Sequence, residues 1–86
     1  MEKFVMSEEY TKHLPERSVR KLENWINHGG DLSGFWWYLL SGDYGSAACN
    51  ADPENLAAFG WLLRFLEQAA PDDCFGSPEK IQMYKS

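Results

Sequence analysis

The chain has 86 residues and a formal charge of −5. That length allows one domain whose small core must offset the chain entropy, and four Trp, four Tyr and five Phe supply the large rings such a core needs. Residues 1–30 carry five acids and five bases and residues 31–86 carry eight acids and three bases, so the second part repels nucleic acid, while the longest apolar run, Phe35 to Leu40, falls far short of the ~20 residues that span a bilayer.

Residues 1–13 contain Phe4, Val5 and Tyr10, which suit a short helix, a docked extension or a frayed arm. Proline followed by glutamate then recurs at Pro15-Glu16, Pro53-Glu54 and Pro78-Glu79. Proline tolerates a first helical turn because its missing N–H needs no partner there, and the glutamates meet the positive end of the helix dipole. The first clear helix is predicted from Pro15 to Asn27, with Val19, Leu22 and Ile26 on one stripe beside Trp25, and Gly29-Gly30 stop it. Leu14 is a poor cap for it. His28 suits the C-terminal end of that helix, and His13 reads as a surface group.

A second helix is predicted from Ser33 to Leu40, entered through Asp31 or Ser33 and closed by Gly42. It is apolar on every side. A short turn of helix over Tyr44 to Asn50 follows, favoured by Ala47 and Ala48. The longest helix is predicted from Pro53 to Ala70, with Asp52 as its N-cap, a stripe of Leu56, Phe59, Leu63 and Leu66 widened by Leu62 and Phe65, and Pro71 as its stop. After a turn through Asp72, Asp73 and Gly76, Ser77 caps a last helix from Pro78 to about Tyr84, where Ile81 and Tyr84 share a face. No repeat or alternating strand pattern appears. The fold class is therefore all-α, a compact bundle of four or five short helices in a single domain over residues 1–86.

Two cysteines, Cys49 and Cys74, follow no basic start with an apolar run behind it, so an intracellular, cytoplasmic setting with two free thiols is expected, one or both buried. With His13 and His28 they lack the close spacing that nucleates a zinc site, and no metal or cofactor is expected. Nucleophile elbows, phosphate-cradling glycine loops and paired His/Cys arrangements are all missing, so the sequence does not predict an enzyme. Asp43, Asp52, Glu54, Asp72 and Asp73 read instead as caps, turn formers or solvated charges. Arg17, Arg20 and Lys21 form the one basic cluster, too small to release the counterions that strong nucleic-acid binding requires.

The run Phe35-Trp36-Trp37-Tyr38-Leu39-Leu40 carries the most functional information, because successive helical residues point about 100° apart and cannot all face one core. Three arrangements accommodate it. The helix is central and wrapped by the others, or Trp36, Trp37 and Tyr38 are exposed as anchors for a protein partner, or the indoles form a platform on which a sugar or base stacks. The polar corner Asn50-Ala51-Asp52-Pro53-Glu54-Asn55 serves capping first and an anion or partner second.

From about Arg17 onward the chain resembles a family of small uncharacterised bacteriophage and prophage proteins. The resemblance rests on Trp25-Ile26, Gly34-Phe35, Asp43, Ala51-Asp52, Glu54-Asn55, Pro71 and Cys74-Phe75-Gly76-Ser77-Pro78-Glu79-Lys80, with Phe75 where a Trp is common. It implies a mobile-element origin and no particular reaction. The expected function is that of a small acidic interaction module that binds and modulates or inhibits a host protein, for example a defence component, through Trp36, Trp37 and Tyr38. Two alternatives stand beside it: a homodimeric structural or regulatory protein without catalytic activity, and a binder of small ligands with an aromatic pocket.

Overall fold

The computed structural model describes residues 3–32 and 34–85. Among them the chain forms α1 (Glu8–Thr11), α2 (Glu16–His28), α3 (Phe35–Ser41), α4 (Tyr44–Asn50), α5 (Pro53–Ala57), α6 (Phe59–Gln68), a single 3-10 turn (Asp72–Cys74) and α7 (Pro78–Lys85). The fold is all-α. Its radius of gyration of 11.9 Å equals the roughly 12 Å expected of a compact chain of this length. No helix among the described residues is long and apolar enough to cross a membrane.

The N-terminal segment is docked. Residues 3–7 run extended along α2, where the Asn27 side chain accepts the Phe4 N–H at 2.7 Å and returns its own amide N–H to the Phe4 carbonyl at 2.9 Å. Glu23 accepts the Met6 N–H at 2.9 Å. Two side chains of a helix thus satisfy a backbone that has no strand to pair with. Met6, Tyr10 and Leu14 are buried, Phe4 packs edge-on against Phe65, and Val5 faces solvent.

Helix α2 begins one residue later than its sequence suggests, because Pro15 is the extended residue before the helix and not its first turn. Gly29, at φ 72°, ends it. Its face of Val19, Leu22, Trp25 and Ile26 is buried as the periodicity requires, together with Ser18. Trp25 is 1% exposed and sends its indole N–H to the Cys74 carbonyl at 2.9 Å, tying α2 to the 3-10 turn. The Tyr84 hydroxyl donates to the Ile26 carbonyl, which fastens α7 to the same helix.

The stretch predicted as one helix from Pro53 to Ala70 is two. Ala58, at φ −96° and ψ 10°, separates α5 from α6. The chain kinks there and does not turn away, since Ala58 still donates to the Glu54 carbonyl at 3.1 Å and accepts from Leu62 at 3.0 Å. The kink lets α5 present Asn55 to Ser18 of α2 while α6 presents Leu62, Phe65 and Leu66 to the core, and Gly60 nearby weakens helical continuity. The expected stripe is rotated as a result. Leu56 is 53% exposed, Phe59 and Leu63 are half-buried, and Ala58 joins Leu62, Phe65 and Leu66 in the interior. This break and the one-turn α1 account for the excess over the four or five helices expected.

Candidate functional site

Helix α3 sits between two glycines in the left-handed region. Gly34 precedes it at φ 56° and Gly42 follows it at φ 92°, a conformation in which an L side chain is strained. Ser33, one of the two expected entrances to this helix, lies outside the described residues. The seven residues from Phe35 to Ser41 pack on α4 and α7. Gly76 bonds its N–H to the Leu40 carbonyl at 2.8 Å, bringing the segment after the 3-10 turn against the helix end.

Phe35, Leu39 and Leu40 are buried, whereas Trp36, Trp37 and Tyr38 are all half-buried and packed against the core at its edge. Helix α3 is thus neither wrapped on all sides nor free on one. Phe35 meets Trp36 edge-on at 5.0 Å and Phe59 at 6.2 Å, so the ring system around Trp36 is supported from below. Neither indole N–H of Trp36 and Trp37 has an acceptor among the described residues, in contrast to that of Trp25.

Next to Trp36 the chain forms a groove of about 290 Å³. Ser18 and Lys21 of α2, Trp36 of α3, Asn50 at the end of α4, and Asp52 with Asn55 at the start of α5 line it. Asp52 caps α5 by accepting the Asn55 N–H at 2.8 Å and also accepts from Arg17. Glu54 pairs with the same guanidinium at 2.8 Å. Ser18 donates its hydroxyl to the Asn55 side-chain oxygen in a buried contact across 37 residues of sequence. The polar corner read from the sequence as a cap therefore caps a helix and builds a groove.

The three bases of α2 have local partners. Arg17 lies on Asp52 and Glu54, Arg20 on Glu16, and the Lys21 ammonium is 3.5 Å from the Asp31 carbonyl. Both arginines are thereby paired with carboxylates. Ser77 accepts the Lys80 N–H at 3.2 Å at the start of α7, and Asp43 accepts the Ser46 N–H at 3.2 Å at the start of α4. Asp72 and Asp73 are exposed in the 3-10 turn.

A second aromatic feature escaped the sequence reading. His13, expected to be a plain surface group, stacks its imidazole on Trp61 with centroids 3.8 Å apart and planes 5° from parallel. The Arg64 guanidinium lies 4.8 Å from the centroid of the same indole. His28 lies exposed in the last turn of α2.

Both cysteines are free thiols, Cys49 exposed and Cys74 buried. Burial, with Asp73 adding to it, pushes the Cys74 thiol up to about 12. Burial also raises Tyr84 above its ordinary value. Among the described residues no three His, Cys, Asp or Glu side chains are placed to hold a metal ion. Comparison with family models, curated proteins and solved structures finds no match to this chain.

Proposed function

We propose that the protein is a protein–protein interaction module that engages its partner through Trp36, Trp37 and Tyr38 of α3. One observation carries the reading: three successive rings on one short helix are each half-buried, held at the base by the core and open at the outer edge. A ring held in this way loses little further freedom on binding, and large amphipathic rings supply most of the energy at interface hot spots. The indole N–H groups of Trp36 and Trp37, without acceptors among the described residues, add two directional donors to that surface.

The sequence resemblance to bacteriophage and prophage proteins supports a phage accessory role in the cytoplasm of the host, where binding modulates or inhibits a host protein such as a defence component. Excess negative charge in residues 31–86 favours a partner with a basic surface. The proposal involves no catalytic step and no cofactor. Affinity capture from host lysate tests it, with wild type set beside a Trp36→Ala, Trp37→Ala double variant shown to be folded. A partner retained by wild type and lost by the variant supports the reading. Retention of the same partner by the folded variant moves the interface elsewhere, and an empty capture with a dimeric mass in solution points to self-association.

A further inference from the structure

The groove beside Trp36 has a composition that flat protein-binding surfaces do not need. Asn55 is 6% exposed, and its side-chain oxygen is taken by the Ser18 hydroxyl. Its side-chain amide nitrogen donates to no group among the described residues, yet it is not sealed away, because it remains reachable from the groove that Asn55 lines. An amide donor on a mostly buried side chain that opens onto a groove is a fixed recognition element, since a ligand oxygen can take the place of the water it would otherwise bind.

The charges around this amide select the ligand class. An anion would meet Asp52 at the wall and Glu54 behind it, in a chain of net charge −5. A cation would meet Lys21 and Arg17. Asp52 and Glu54 both pair with Arg17 while Lys21 adds a positive charge, so charges of both signs border the groove and a neutral polar group suits it better than an ion of either sign. Its volume of about 290 Å³ has room for about ten waters at roughly 30 Å³ each, which suits one ring with its substituents.

We infer that this groove binds a neutral pyranose, with the C–H face of the sugar on the Trp36 indole and its hydroxyls on the surrounding polar groups. Hydroxyls both donate and accept, and the groove offers both functions. Asn55 and Lys21 donate. Asp52 accepts, as does the Asn50 side-chain oxygen, while one of the two Asn50 amide N–H donors goes to the Ser46 carbonyl at 2.8 Å. The inference rests on the groove and not on the partner reading. Trp37, about 100° further round α3 than Trp36, does not line it.

Saturation-transfer NMR on the full chain tests this, with glucose, galactose, mannose and N-acetylglucosamine as probes and adenosine as an uncharged nucleoside control. Transfer to the ring C–H protons of at least one sugar is expected. Trp36→Ala, shown to be folded by circular dichroism, should weaken that sugar about tenfold, a loss of about 1.4 kcal/mol. Asn50→Ala, at an exposed rim position, should weaken it less, and Trp37→Ala should leave it unchanged. Retention of a partner protein would respond to Trp37→Ala, so failure of one reading is separable from failure of the other. A methyl glycoside that binds as well as the free sugar would mark a glycan-linked ring, and rejection of the glycoside a free one. No transfer to any of the four sugars, binding that survives Trp36→Ala, or binding of adenosine alone would each overturn the inference.

Discussion

The indole N–H of Trp25 and the carbonyl oxygen of Cys74, 49 residues apart in sequence, form a 2.9 Å hydrogen bond inside the core. It joins the first long helix to the turn that precedes the last one, and the Trp25 ring also packs against Tyr84 at 5.3 Å. Trp25→Phe keeps an aromatic ring but strands the carbonyl and leaves a void. The expected cost is about 2–4 kcal/mol of stability, measured as a lower urea midpoint with unchanged slope.

Gly42 and Gly30 separate two kinds of glycine requirement. Both have φ in the left-handed region, 92° and 108°. A Cβ at Gly42 would sit 2.8 Å from the Gly76 carbonyl oxygen, whereas one at Gly30 meets nothing within 4 Å. Gly30→Ala should cost about 1 kcal/mol of backbone strain, and Gly42→Ala about 2–3 kcal/mol, because the clash is with backbone that also bonds Leu40. Equal melting temperatures for the two variants would contradict this packing of α3 against residue 76.

Ser18 and Asn55 form a buried pair of polar side chains between α2 and α5. Ser18→Ala removes the donor to a buried oxygen and should cost about 1–2 kcal/mol. Asn55→Ala should cost more, since it also opens space under the groove. A double-variant cycle should show coupling of about 0.5–1 kcal/mol or more, and additive losses would argue against the contact.

Cys74 supplies a pH signature. Its thiol ionises at about 12 in the folded chain, against 9.0 ordinarily. The unfolded chain therefore loses this proton first as pH rises. Between roughly 9 and 12 the unfolded state binds fewer protons than the native one, so stability falls as pH climbs through that window and is full below it. Tyr84 shifts in the same direction and adds to the decline. Denaturant unfolding at increasing alkalinity should show this loss, and Cys74→Ala should flatten it at the cost of a small cavity. Near neutral pH iodoacetamide should label Cys49 quickly and Cys74 only on unfolding.

Local signals made much of the fold readable. The Gly29-Gly30 stop, the α2 face of Val19, Leu22 and Ile26, and the Ile81–Tyr84 face of α7 all depend on neighbours within a few residues. The kink at Ala58 was not readable, since alanine is a strong helix former and the break serves two distant contacts, Asn55 with Ser18 and Phe59 with Phe35. The N-terminal segment was equally opaque, because Asn27 and Glu23 act on it from 23 and 17 residues away. At the candidate site, composition drew attention to Trp36, Trp37 and Tyr38, but their partial burial depends on how α4 and α7 close on α3. The groove needed residues from α2 and α5 together. Its one sequence trace was the polar corner from Asn50 to Asn55.

If the rings of α3 form the partner surface, fluorotryptophan NMR with a soluble quencher detects it at each indole separately. In the free protein Trp25 should be silent and Trp36, Trp37 and Trp61 partly accessible. With a captured partner bound, Trp36 and Trp37 should lose that access while Trp61 keeps it. Protection of Trp61 alone, or unchanged access at Trp36 and Trp37 in the complex, would contradict the account and place the interface on the His13–Trp61 side of the molecule.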